Sequence, residues 1–168
     1  MTRLAYAVLG ATALLTVAGC ASVPMAPPEV DRAAKEFPAP PPGRSQVYVY
    51  RNESLGSAVR FDLTVDGFLV GSTGPKTYLL FPVTPGQHTL VSRAENADPF
   101  PMVTEAGKTY FVWQEVKMGM FSARSRLGLV EAVKGQAGVK ACGLAVTTPP
   151  LGAPAAPAEA TAAVVPGS

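Results

Sequence analysis

The sequence predicts an all-β fold: a small antiparallel β-sandwich of about seven to eight strands, with a short C-terminal helix. Three observations predict it. Short runs of β-branched and aromatic residues recur between residues 45 and 146. Turn-forming dipeptides separate them at close spacing, led by Asp66-Gly67 and Pro85-Gly86. Around residues 61–66, apolar and polar residues alternate with a period of two, as in a half-buried strand. The regular strand–helix alternation of a parallel α/β fold is missing.

The elements follow in order. Val47-Tyr48-Val49-Tyr50 is a strand by composition. Phe61, Leu63 and Val65 share one strand face, and Asp62, Thr64 and Asp66 share the other. Asp66-Gly67 then predicts a tight hairpin, with residues 68–70 returning. Residues 78–83 form an apolar strand ending at Thr84-Pro85-Gly86-Gln87. Proline second and glycine third suit a type II turn, because glycine accepts a positive φ. Residues 88–93 and 100–104 continue the sheet, and Ala106-Gly107-Lys108 turns into the longest strand, 109–116. Trp113 on that strand is expected in the core. Residues 121–130 predict one more strand. Residues 131–141 predict a weak helix, since Gly135 and Gly138 both lower helix propensity.

The chain ends differ in composition from this middle. Proline is abundant, 17 residues in 168, and it concentrates at residues 24–42 and from Pro149 onward. Residues 20–44 therefore predict an extended tether, with at most one helical turn within 30–37. Residues 147–168 predict a disordered Ala/Pro-rich tail. That leaves residues 45–146 as a single domain, long enough to bury its own core. The formal charge of +2 is too small for electrostatic capture of nucleic acid.

Residues 1–19 read as an export signal. Arg3 supplies the positive start, and residues 4–17 form a weakly to strongly apolar stretch. That stretch is short for a membrane-spanning helix, which needs about 20 residues. Val17-Ala18-Gly19-Cys20 resembles the lipobox of bacterial lipoproteins. The resemblance implies cleavage after Gly19 and diacylglycerol on the Cys20 sulfur, with the new amino group usually acylated as well. One acyl chain binds a membrane only weakly, so two or three are needed for a firm anchor. Ala21 departs from the aspartate that commonly retains lipoproteins in the inner membrane of two-membrane bacteria. The expected location is thus the cell envelope, on the periplasmic side of the outer membrane. With Cys20 lipidated, Cys142 is left as an unpaired structural thiol.

No catalytic set, cofactor site or metal site emerges from the motifs. His88 is the single histidine, next to a turn, where a hydrogen bond to backbone is its simplest role. Asp62 and Asp66 could in principle do acid–base work, but a solvated strand face, with Asp66 serving the turn, is the simpler account of them. Arg124 and Arg126 share a strand face, either as a solvated face or as a contact for phosphate or an anionic polymer. Met118, Met120 and Phe121 surround Gly119. Core packing is the simplest account of them. An exposed strip suited to adaptable protein contacts is the other, which makes these three the candidate partner-contact residues.

Several motifs occur in a fixed order: VYVYRN at 47–52, VDG at 65–67 with VG at 70–71, and TY at 77–78. VTPGQHTL at 83–90, AGKTY at 106–110 and VKMG at 116–119 follow. Together they resemble the bacterial domain of unknown function 2846. The Pro-Gly turn before His88-Thr89-Leu90 is also similar to PEGA-type β domains. The resemblance implies a small β-sandwich in an envelope protein and supplies no reaction. One departure is that members often end in a charged helix, whereas 131–141 carries two glycines. The function expected is a non-enzymatic interaction or structural module, anchored by lipid on Cys20 and contacting an envelope protein or cell-wall polymer. The alternative is a small-ligand carrier or weak hydrolase with a pocket in the β domain.

Overall fold

The computed structural model describes residues 22–121 and 123–148. The export signal, the Gly19–Cys20 junction and the tail beyond Thr148 lie outside the described residues. Among the described residues nine strands form two sheets, flanked by two helices. The first sheet has the order β8-β7-β1-β4-β9 and the second β3-β2-β5-β6. In chain order the elements are α1 (Pro28–Ala34), β1 (Ser45–Arg51), β2 (Phe61–Val65), β3 (Phe68–Thr73), β4 (Thr77–Val83), β5 (Gly86–Arg93), β6 (Pro99–Thr104), β7 (Thr109–Met118), β8 (Ala123–Val130), α2 (Ala132–Lys140) and β9 (Gly143–Leu144). No helix among the described residues is long and apolar enough to cross a membrane.

The β-sandwich expected from the sequence is present, and most strand pairs are antiparallel. Two are parallel: β1 with β7, and β4 with β9. A parallel pair needs a long crossover. Between β1 and β7 that crossover is β4 together with the whole second sheet.

The run Val47-Tyr48-Val49-Tyr50 shows how the layers are built. Val47 and Val49 face the second sheet, in a core with Leu63, Val65, Leu79, Leu90 and Val112. Tyr48 and Tyr50 face the other way and pack with Tyr78, Phe111 and Val139 beneath the helices. Tyr48 stacks on Phe111 with ring centroids 5.1 Å apart. Every residue of β1 is therefore buried, as expected of a central strand covered on both faces.

The turns behave as their residues require. Asp66 and Gly67 both have positive φ, +52° and +87°, so the Val65↔Phe68 hairpin has the type I′ geometry that matches strand twist. Gly86 has φ +135°, the sign that its turn needs. At the next boundary the structure moves the limits slightly. β7 runs on to Met118 and β8 starts only at Ala123, so Phe121 lies in the connecting turn and not in a strand.

One expectation is corrected. Most of the stretch read as a free tether is folded onto the domain. Pro28 occupies the first turn of α1, where its missing N–H costs nothing. The Asp31 carboxylate accepts hydrogen bonds from the Tyr78 hydroxyl and the Leu144 N–H, both at 2.9 Å, and from Lys35 at 2.7 Å. The Tyr48 hydroxyl donates to the Ala34 carbonyl at 2.9 Å. Ahead of the helix, Ala26 N–H donates to Leu144 and Val146 N–H donates to Pro24. Val23 is buried in the main core. Proline content argued for solvated chain, but tertiary partners remote in sequence captured the segment. The folded unit likewise extends past residue 146, because Thr148 N–H donates to the Val70 carbonyl at 2.7 Å.

The short C-terminal helix expected from the sequence is present as α2. Its two glycines are the points of closest approach to the sheet. A Cβ on Gly135 would fall inside the Phe111 side chain, and one on Gly138 inside the Tyr50 ring. Low helix propensity is the cost of this close packing, and burial of the aromatic layer offsets it.

Candidate functional site

Arg51 ends β1 and is fully buried. Its guanidinium donates to the carbonyls of Val59 (2.7 Å), Leu55 (2.8 Å) and Gly56 (2.7 Å). The Phe61 ring lies against it at 4.7 Å. Burial pulls the Arg51 pKa down, and the nearby Glu53 opposes that shift. A buried cation thus serves as an internal clamp for the loop of residues 52–60, whose carbonyls have no sheet partner. Glu53 accepts the Val116 N–H at 2.8 Å, and Lys76 donates to the Asn52 carbonyl, fixing the same loop from outside. Gly56 sits at φ +67° against Ala123 and Val116, where an L side chain would be strained.

Facing this loop is the turn between β7 and β8. The Glu95 carboxylate accepts the N–H groups of Met120 (3.2 Å) and Phe121 (3.0 Å). The turn backbone is held while its side chains point outward. Met118 is 75% exposed, Met120 83% and Phe121 90%. The core-packing account of these three is overturned. Their sequence neighbours Val116 and Ala123 form the small core at this end with Phe61, and the three side chains stand outside it. With Leu55, Val59 and Ala123 they border a mostly apolar groove of about 540 Å³. Long apolar side chains therefore stand in solvent on a turn held through its backbone.

Met118 also borders a second cleft, of about 520 Å³, lined by Ser92, Asn96, Lys117, Arg124, Ser125 and Arg126. Arg124 and Arg126 are exposed on one strand face, next to a Lys117–Glu115 pair at 3.3 Å. At the floor a polar chain crosses between the sheets. Ser125 Oγ and Ser92 Oγ are 2.6 Å apart, Gln114 Nε2 donates to Ser92 Oγ at 2.6 Å, and Thr73 donates to Gln114 Oε1. Sequence reasoning missed this chain. Its signal was available: Gln114 stands in phase with the inward-facing Val112 and Val116, a polar residue in an apolar register.

The other candidates take structural places. His88 Nδ1 meets Asp66 at 2.7 Å and Nε2 meets the Thr84 carbonyl at 2.7 Å. Both ring nitrogens are engaged, so neither is left to act on a substrate. Burial raises the Asp66 pKa, but hydrogen bonds from His88 and the Thr89 N–H outweigh it and the net shift is downward. Asp62 accepts the Ser72 hydroxyl at 2.6 Å and is not brought together with Asp66. Cys142 is a free, buried thiol that faces the Arg51 carbonyl, and burial pushes its pKa up to about 11. Trp113 is half-buried, with Lys134 over its ring. Among the described residues no group of three His, Cys, Asp or Glu side chains is placed to hold a metal.

An uncharacterized protein of Haemophilus influenzae is 33% identical over 135 residues, covering 79% of this chain and 80% of that one. No solved structure matches the chain. Residues 41–128, from the last prolines before β1 to the middle of β8, match the family described as protein of unknown function (DUF2846), and the chain belongs to that family.

Proposed function

We propose that the protein is a lipid-anchored protein of the bacterial cell envelope whose β domain is a non-enzymatic interaction module. The partner is another envelope protein or cell-wall polymer, contacted through Met118, Met120 and Phe121. The observation that carries the reading is the held tip: three long apolar side chains, each at least 75% exposed, on a turn whose Met120 and Phe121 N–H groups Glu95 binds, facing the loop that Arg51 clamps. Methionines adapt their shape to a partner, and the aromatic ring adds contact area at low entropy cost. The anchoring half of the reading is supported by Val17-Ala18-Gly19-Cys20 after an apolar stretch, and the outer-membrane location by Ala21.

A photo-crosslinking residue in place of Phe121, in the full chain expressed in bacterial cells, tests the contact. The control position is Val103 on β6, which is similarly exposed. A discrete adduct at 121 that is weak or missing at 103 supports the module. Equal, diffuse labelling at both positions refutes it. A second reading, a carrier of a small anionic ligand, is favoured by the cleft of about 520 Å³ bordered by Lys117, Arg124 and Arg126. Titration with small organic anions, and loss of any binding in an Arg124→Ala/Arg126→Ala double variant, separates the two.

A further inference from the structure

The two ends of the folded unit leave it together. Residues 24–26 run antiparallel to 144–146, through the Ala26–Leu144 and Val146–Pro24 hydrogen bonds and the Met25↔Ala145 bridge. The next residues of the second segment pair with the edge strand β3, through Gly71↔Thr147 and the Thr148–Val70 bond. The chain therefore enters and exits along one seam beside β3. Val23 is already buried there, and Cys20 is three residues earlier. Three Cα–Cα steps span at most about 11 Å. A lipid on Cys20 would have almost no leash.

Large apolar side chains border that seam. Met25 and Val146 lie on it, and Phe68 and Leu69 open β3 two and one residues before Val70; all four are about half exposed. The nearest carboxylate on the hairpin, Asp66, is turned toward the His88 ring and the Thr89 N–H. The tip lies far away. Leu80, which accepts the Thr147 hydroxyl at the seam, is level with Tyr48 and so with Phe111 across the sheet. From Phe111 to Met118 is seven residues of β7, about 23 Å along the strand.

We infer that the Met25–Phe68–Leu69–Val146 flank rests on the bilayer that holds Cys20, and that the Met118–Phe121 tip is thereby presented away from the membrane. The occupant of this flank is the lipid surface itself. The short connection concentrates the flank at the bilayer, and the half-exposed apolar side chains lose water there. The inference rests on the proposed anchor at Cys20 and goes beyond it by giving the domain an orientation.

The test uses two native methionines and needs no variant. The full-length protein, purified from cell membranes, is reconstituted into phosphatidylethanolamine/phosphatidylglycerol vesicles and treated with a membrane-impermeant oxidant. Sulfoxide formation at Met25 and Met120 is followed by peptide mass, and the mass of the N-terminal peptide reports acylation of Cys20. Met25 is 48% exposed and Met120 83%, so exposure alone predicts rates within about two-fold. Cover by the bilayer predicts Met25 slowed at least ten-fold relative to Met120. Acylated Cys20 with rates in the ratio of exposure overturns the orientation and leaves the anchor standing. Protection of Met120 in place of Met25 overturns it too, since the tip would then be the inserted end. An unacylated N-terminal peptide removes the anchor and the orientation together.

Discussion

The side chain of Asn96 and the backbone of Ser125 exchange two hydrogen bonds. Asn96 Oδ1 accepts the Ser125 N–H at 2.8 Å, and Asn96 Nδ2 donates to the Ser125 carbonyl at 2.7 Å. Ser125 lies on β8, an edge of the five-stranded sheet. An amide side chain thus occupies the place of a further strand and blunts an edge that would otherwise recruit one. Asn96→Ala leaves both backbone groups without a protein partner. The expected cost is about 1–3 kcal/mol, read as a lowered urea midpoint with an unchanged slope. An unchanged midpoint would mean that water replaces the amide at no loss.

The glycines of α2 give a prediction of opposite sign to helix propensity. Alanine is the better helix former by about 1 kcal/mol. Gly138→Ala and Gly135→Ala are nevertheless expected to destabilise by about 1–3 kcal/mol or more, because the new methyl group meets Tyr50 or Phe111. Thermal melts of the two single variants decide the sign. A stabilised variant would show that α2 can lift from the sheet without loss.

Arg51 should be irreplaceable by lysine. One ammonium group lacks the planar fork that reaches three carbonyls at 2.7–2.8 Å. Arg51→Lys is expected to lose about 1.5–3 kcal/mol and to expose residues 52–60 to proteolysis. Limited digestion with mass mapping of the first cut checks this. First cleavage elsewhere would mean that the loop is held by Glu53 and Lys76 without the clamp.

Acid should weaken the fold through Asp66 and Asp31. Burial raises the pKa of each, but hydrogen bonds outweigh it: His88 and the Thr89 N–H at Asp66, Lys35, Tyr78 and the Leu144 N–H at Asp31. A carboxylate with a depressed folded pKa stabilises the fold above its unfolded pKa of about 3.9 and loses that contribution as pH falls through the folded value. Asp66→Asn keeps a residue that tolerates the positive φ at this turn. Its stability deficit should therefore be largest at neutral pH and shrink below about pH 4. Urea midpoints at pH 7 and pH 3 give the two deficits, and equal deficits would remove the linkage.

Cys142 is expected to resist alkylation in the folded protein at pH 8, since its thiol is buried and its pKa is pushed up to about 11. Reaction with iodoacetamide should be at least ten-fold faster in denaturant than in buffer. Similar rates in both would place the thiol on an opening segment.

What the sequence determined by itself is local. The Asp66-Gly67 hairpin, the positive φ at Gly86 and most strand positions follow from turn chemistry and side-chain alternation acting over a few residues. The Val/Tyr alternation of β1 showed a strand, but not that both faces are buried, since the covering helices arrive from residues 28–34 and 132–140. The tertiary structure alone decided the rest. Residues 22–37 look like free chain until Asp31 meets Tyr78 and Leu144, which lie 47 and 113 residues away. Gly135 and Gly138 look like helix breakers until Phe111 and Tyr50 take the space their missing Cβ atoms leave. Met118, Met120 and Phe121 have core composition, yet they stand in solvent, outside the small core beside them. In the first two cases the deciding contact joins residues far apart in the chain, and in the third the distant Phe61 completes the small core with Val116 and Ala123; no local pattern of hydrophobicity or propensity encodes which distant surface will be there.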